Sequence, residues 1–227
     1  RYQKLRAVLD RRQPDLTLLT DNVHKGRNLS AVLRNADAVG IASMHCVVDD
    51  KEYKAFRGTA MGSQRWVEMY RHKTIESAIA PLKQQGVQIL AAHLADDSVD
   101  YREVDYTGPT AILLGAEKRG VSAVAADMAD GHITIPMMGM VQSFNVSVAA
   151  GIILAEAQHQ RMQAGCYDQC RLSPEQYQRL FFEWAHPQLT AFCQQRGLAY
   201  PPLGEDGELE DAPGWNTKVK TGQATLA

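Results

Sequence analysis

One stretch limits the fold more than any other: Ile133 to Gln160, ITIPMMGMVQSFNVSVAAGIILAEAQHQ. β-Branched residues alternating with Thr134 predict a short strand from Ile133 to Pro136. A turn-rich loop holding Gly139, Gln142, Ser143 and Asn145 follows. From Val146 the period becomes helical: Val148, Ile152 and Ala155 recur at helical spacing, while Ala149, Ala150 and Gly151 are small. Ser143 or Asn145 can cap this helix, since either side-chain oxygen can accept a free first-turn N–H. The helix is apolar nearly all round and is therefore expected to be buried. A polar loop between a strand's carboxyl end and a buried helix is where open α/β sheets take ligands. An ordinary core βα unit would look similar, so this stretch alone leaves both readings open.

The remaining pattern alternates strands and helices. Tyr2 to Arg12 reads as a short basic amphipathic helix ended by Pro14, with Leu5, Val8 and Leu9 on one face. Strands are expected at Leu16–Thr20, Met44–Val48, Trp66–Tyr70, Val87–Leu94 and Thr110–Gly115. The last of these is a near-continuous apolar run, the type found in parallel sheets covered on both faces. A helix over 29–38 has the apolar face Leu29, Val32, Leu33 and Ala36, with Asn28 or Ser30 as cap and Gly40 as stop. Asn28 stands at its mouth and Arg34 projects about two turns in. Further helices are expected at Thr74–Gln85, Val121–Met128 and from Ser173, where Ser-Pro-Glu supplies cap, first-position proline and first-turn acid. Pro187 should break that helix. The tail from Tyr200 is rich in Pro, Gly and acid and reads as extended.

Charge separates the chain. Net charge is −2, yet residues 1–73 balance at +6 and the remainder at −8. Within the basic third, six Lys/Arg between Lys51 and Lys73 interleave with Tyr53, Phe56, Trp66 and Tyr70. Basic and aromatic residues together suit nucleic acid, by phosphate pairing and base stacking, although core aromatics with solvated neighbours give the same pattern. The longest apolar run, Val146 to Ala155, is too short to cross a bilayer. No basic-then-apolar leader opens the sequence as given, and the expected location is cytoplasmic. The four cysteines are expected to be reduced thiols, because only Cys166 and Cys170 lie close and no zinc set is complete.

Nucleotide motifs are missing where they would matter. Gly115 and Gly120 have P-loop spacing, but Val121 stands where the lysine is required. No GxGxxG follows a strand, so a nicotinamide-dependent oxidoreductase lacks its fingerprint. What remains is Glu117 and Lys118 on a glycine-flanked loop at a strand's carboxyl end.

Three separated segments resemble, in order and spacing, the three motifs of the SPOUT class of RNA methyltransferases: NLSAVLRNADAVG at 28–40, ILLGAEKRG at 112–120 and IPMMGMVQSFNVSVA at 135–149. The resemblance covers about residues 16–160. Within the class the chain resembles most the TrmH branch, tRNA guanosine 2′-O-methyltransferases, a likeness extending to the basic amino-terminal helix and to SPEQYQRLFFEW. It implies a mostly parallel α/β sheet flanked by helices, with a carboxyl-terminal trefoil knot and a homodimer. The expected division is a basic helical extension over 1–15, a methyltransferase domain over 16–164 and a helical extension with tail over 165–227. Fifteen residues precede Leu16, and no separate amino-terminal RNA-binding domain is expected.

By the same resemblance, Ala92, Leu114, Gly115, Ile135, Met137 and Phe144 would hold S-adenosylmethionine. Asn28, Arg34, Glu117, Ser143 and Asn145 would form the reaction site, without a metal. Gly26 stands in HKGRN where similar proteins often carry proline. Arg6, Arg11, Arg12, Lys25, Arg27 and Arg57 are the expected RNA contacts. The implied reaction is ribose 2′-O-methylation of guanosine-18 in the tRNA D-loop. Methylation of another RNA such as rRNA, or a non-catalytic RNA-binding role on the same fold, are the alternatives. The dimer contact is expected at helices 29–38 and 146–160, because of their apolar faces and the small run Ala149, Ala150, Gly151.

Overall fold

A computed structural model describes residues 1–23, 25–48, 65–117 and 119–226. The chain divides into two compact units, Arg12–Gln169 and a terminal unit of Arg1–Arg11 with Cys170–Ala227. Of the segment from Lys51 to Lys73, only residues 65–73 are described, and the expected RNA contact Arg57 lies outside the described residues.

The larger unit is built on seven strands: β1 (Leu16–Asp21), β2 (Ser43–Val47), β3 (Glu68–His72), β4 (Gln88–Ala92), β5 (Val99–Asp100), β6 (Thr110–Gly115) and β7 (Gly131–Thr134). Their order is β3-β2-β1-β6-β4-β7-β5, and every pairing is parallel. β1 and β6 lie side by side at the centre, and β1 is buried along its whole length. Their alternate residues enter two cores, because successive side chains point to opposite faces. Leu16, Leu18, Ile112 and Leu114 pack with α2 (Gly26–Ala38) and α5 (Val146–Gln163). Leu19, Ala111 and Leu113 pack with α3 (Ile75–Gln84) and α4 (Ala123–Met128). The expected sheet flanked by helices is therefore present.

Several boundaries differ from expectation for local reasons. β7 begins two residues early and ends at Thr134, since Pro136 has no N–H to offer a ladder. α2 begins at Gly26, so Asn28 and Ser30 lie inside it and neither caps it. Ser30 Oγ instead donates back to the Gly26 carbonyl at 2.7 Å. At α5 the open choice between two caps falls to Asn145, whose Oδ1 accepts from Ser147 N at 2.9 Å.

The small run expected at a dimer contact lies within this chain. A Cβ on Gly151 would stand 3.3 Å from Asn35 Nδ2, and Asn35 Nδ2 itself donates to the Ser147 carbonyl at 2.7 Å. Leu29, Val32, Leu33 and Ala36 are buried in the same core. The apolar face of α2 therefore gives no motive for dimerisation.

Arg12 is also unlike its expected role. It is 0% exposed, with Nη1 donating to the Ile41 carbonyl at 2.9 Å and Nη2 paired with Asp37 at 2.6 Å. From there it cannot reach an RNA phosphate. The reason is its place in the chain: the amino-terminal helix stops before it.

In the terminal unit, α1 (Tyr2–Leu9) buries Leu5 and Leu9. α6 (Pro174–Ala185) starts with the cap expected from Ser173, which Gln176 extends into a capping box. Pro187 ends the turn after α6 and opens α7 (Pro187–Arg196), because its fixed φ suits a first helical position. The tail is not simply extended: α8 (Ala212–Lys220) begins where Asp211 accepts from Gly214 N at 2.9 Å. Tyr2 Oη donates to Glu208 at 2.8 Å.

Among the described residues, no helix is long and apolar enough to cross a membrane, and no group of three His, Cys, Asp or Glu is placed to hold a metal. All four cysteines are free thiols.

Candidate active site

The carboxyl ends of β4, β6 and β7 open into one cleft, closed behind by the first turns of α5. Its floor is apolar: Leu114, Ile133, Ile135, Val146 and Ile153. Ala92, Gly115 and Ala149 keep it narrow, and Glu117, Gln142 and Ser143 bring polar groups to its mouth. The enclosed volume is about 170 Å³, below the roughly 300 Å³ usual for ligand pockets. The cleft is thus a shallow slot whose rim continues into exposed Met138 and Met140. Ala92, Leu114, Gly115, Ile135, Met137 and Phe144, the six residues expected to hold a cofactor, all line it. His93 and Thr134, within the backbone stretches 90–94 and 133–137 that the resemblance also assigns to the cofactor, line it too, and Gly120 joins them without having been foreseen.

The loop after β6 requires glycine at two places. A Cβ on Gly115 would fall 2.1 Å from the Gly120 carbonyl carbon, and Gly120 has φ +67°. The loop closes because Ala116 N donates to Gly120 O at 3.0 Å and Gly120 N to Ala116 O at 2.7 Å. Glu117 projects from this closed turn.

At the mouth of the cleft, Glu117 gathers side chains from the other two motifs. Its Oε1 accepts from Asn28 Nδ2, and from Asn145 Nδ2 at 2.9 Å. Its Oε2 accepts from Lys25 Nζ. Asn145 Nδ2 also approaches Asn28 Oδ1 at 3.3 Å, while Asn145 Oδ1 takes Ser147 N at 2.9 Å and Ser147 Oγ at 2.6 Å. The Lys25 ammonium first, then the Asn28 amide, hold the Glu117 carboxyl below the usual range, so it stays ionised. Three distant segments thus meet at one carboxylate.

Ser143 and Arg34 complete the expected reaction set. Ser143 lines the cleft. Arg34 is exposed on α2, about 9 Å along the helix from Asn28 by helical rise. Among the expected RNA contacts, Arg11 and Arg27 are exposed, and Lys25 is paired with Glu117. Arg6 is half-buried, 4.2 Å over the Phe181 ring, and donates to the Glu205 carbonyl at 3.3 Å.

The parallel sheet, the cleft at its carboxyl edge and the three-segment polar cluster have counterparts in known proteins. The chain belongs to the SpoU rRNA Methylase family, which it matches over residues 15–155, and it matches the SpoU rRNA methylase C-terminal family over 159–212. More particularly, it is 48% identical to the tRNA (guanosine(18)-2′-O)-methyltransferase of Escherichia coli K12, over 98% of each chain. Among solved structures, the Aquifex aeolicus TrmH/SpoU tRNA modifying enzyme superposes with a TM-score of 0.77 at 42% identity, covering 83% of this chain and 96% of that one. An AdoMet-bound rRNA methyltransferase from Sinorhizobium meliloti superposes with a TM-score of 0.58 at 32% identity, covering 66% and 61%.

Proposed function

We propose that this chain methylates the ribose 2′-hydroxyl of guanosine-18 in tRNA, using S-adenosylmethionine. One observation carries the reading: Asn28, Glu117 and Asn145, one from each motif, are hydrogen-bonded together at the mouth of the cleft. The full-length similarity to a tRNA (guanosine(18)-2′-O)-methyltransferase supports the choice of RNA and nucleotide.

The cleft fits the methyl donor on its own chemistry. An apolar slot walled by Ile133, Ile135 and Leu114 suits a flat adenine, and bare backbone at Gly115 allows close approach. Ala92, Leu114, Gly115, Ile135, Met137 and Phe144 would hold it. When bound, it supplies a methyl group on a positively charged sulfur, ready for in-line displacement.

The chain's residues then align the hydroxyl and manage its charge. Arg34, planar and permanently charged, grips a phosphate beside the target and stabilises the developing alkoxide. Glu117, kept ionised by Lys25, fixes the amides of Asn28 and Asn145, and Ser143 faces the slot from the opposite loop. Arg11 and Arg27 supply further phosphate contacts. A loop nucleotide such as guanosine-18 can be splayed out to reach the slot, whereas one inside an A-form helix cannot easily do so.

The chain acts as a homodimer in this reading, through the α5 surface outside the core, where Val148 is 47% exposed. Sedimentation at micromolar concentration tests this, and a stable, active monomer rules it out. The chemistry is tested with labelled S-adenosylmethionine and tRNA carrying 2′-deoxyguanosine at position 18. Labelling must stop on that tRNA; label entering the base would overturn the assigned reaction.

A further inference from the structure

We propose that Lys25 is a positioning residue for methyl transfer, acting through Glu117, and not chiefly a phosphate contact. The inference rests on the functional reading above and extends it to a residue outside the three motifs. Lys25 is the residue before the first turn of α2, but its side chain takes no part in capping that helix. It reaches across to the loop after β6 and donates to Glu117 Oε2.

The geometry divides the work of one carboxylate between its two oxygens. Oε1 serves Asn28 and Asn145, and Oε2 has Lys25 as its partner among the described residues. A carboxylate held on one oxygen alone can still rotate about its last bond, whereas one held on both has a fixed plane. With the plane fixed, the Asn28 and Asn145 amide groups are fixed too. Asn145 Oδ1 is occupied by Ser147, while Asn28 Oδ1 receives only the long 3.3 Å approach of Asn145. Asn28 therefore retains an acceptor lone pair for an incoming group. Lys25 acts one step back from that atom.

Stability is not what this ion pair provides. The Lys25 side chain is 67% exposed, and such pairs contribute little to folding. Among the described residues, no other charged group acts on Glu117, although Arg119 lies exposed two residues on. Removing the Lys25 charge should let the Glu117 carboxyl return toward its ordinary range. Activity that needs ionised Glu117 would then be lost at a higher pH as the solution is acidified.

The test uses the full chain with bulk tRNA and labelled S-adenosylmethionine, comparing Lys25→Gln, Glu117→Gln and the double variant. Lys25→Gln should lower kcat about 10-fold with KM for tRNA within about twofold, the pattern of a lost transition-state contact. In the Glu117→Gln background the same substitution should change kcat by less than about twofold, because the two residues act as one unit. Lys25→Arg should recover most of the turnover. A raised KM at unchanged kcat, with the salt slope of tRNA binding reduced by about 1, would instead make Lys25 a phosphate contact and overturn the proposal. A second reading needs no tRNA: a carbon-13 titration of the Glu117 carboxyl. Its midpoint should rise in Lys25→Gln, and an unmoved midpoint overturns the proposal whatever the activity. Absence of ribose methylation by the unaltered chain would count against the functional reading itself, and the titration would still decide the role of Lys25.

Discussion

At one end of α5, Asn145 joins Asn28, Lys25 and Glu117 in an open cluster at the mouth of the cleft. At the other end of the same helix Arg161 is 0% exposed. Its Nε donates to the Tyr106 carbonyl at 2.8 Å, Nη1 to Gln13 at 3.0 Å and Asp15 at 2.8 Å, and Nη2 to the Gly108 carbonyl at 2.7 Å. Both clusters combine a cation, a carboxylate and an amide from distant segments. One is enclosed and closed on itself; the other is reachable by solvent and leaves acceptor capacity open. Similar residue types thus close on themselves in one place and stay open to an incoming group in the other. Burial and completeness of hydrogen bonding separate the two cases.

The largest effect should come from the enclosed end. Arg161→Ala removes the donor that Asp15, Gln13 and the Tyr106 and Gly108 carbonyls share, and should cost about 3–5 kcal/mol in denaturant unfolding, as for a broken buried pair. A cost below about 1 kcal/mol would erase the distinction between the two ends. Next is Arg34→Ala, which should remove about 2–4 kcal/mol of transition-state stabilisation with cofactor affinity and folding nearly unchanged. Arg34→Lys should also be poor, since it keeps the charge and loses the planar fork. Single-turnover kinetics beside a cofactor titration read both variants, and near-normal turnover in either removes Arg34 from the chemistry.

Asn145 belongs to both worlds and can divide them. Asn145→Ala should cost about 1 kcal/mol of stability through the lost cap. Asn145→Asp keeps a capping oxygen while setting a second carboxylate against Glu117, so it should retain stability and still lose turnover. Equal losses of stability in the two variants would show that the cap is not what Asn145 gives the fold. The smallest effect is expected at Arg11→Gln and Arg27→Gln, within about 0.5 kcal/mol in stability as for exposed sites. Each should lower the salt slope of tRNA binding by roughly 1 if it touches a phosphate, as measured by filter binding across salt concentrations.

The site was more legible in the sequence than the scaffold around it. Asn28, Glu117 and Asn145 stand in segments whose spacing carries a family resemblance, and the six cleft residues were implied by the same resemblance, with Ala92, Leu114 and Gly115 at strand ends that apolar runs also mark. The pairing of Lys25 with Glu117 spans 92 residues, and no local pattern encodes a contact of that range. Arg12 reads as an RNA-facing charge because its partner, Asp37, is found only once the chain is folded, and the buried pairing of Arg161 with Asp15 has no local signal either. The helix within the tail was hidden by composition: Pro213 and Gly214 suggest a break, yet they occupy the first turn behind the Asp211 cap. The start of α2 was misplaced because Asn28 is a good capping residue type, and its amide is used for the site instead. A knot has no periodic signature at all, since it is a property of the path and not of any segment.

The closed turn from Ala116 to Gly120 has a mechanical consequence. Two opposed backbone hydrogen bonds between Ala116 and Gly120, and the absence of room for any side chain at Gly115, tie both ends of that turn to the end of β6. A carboxylate mounted on it travels with β6, the central strand, and hardly by itself. Adjustment to a bound nucleotide must then come from the opposite shore, from the first turn of α2 or the 137–144 segment. The two walls of the mouth would differ in compliance, one acting as anvil and the other as jaw, and amide exchange at Gly120 should be slow even while the facing segment opens freely.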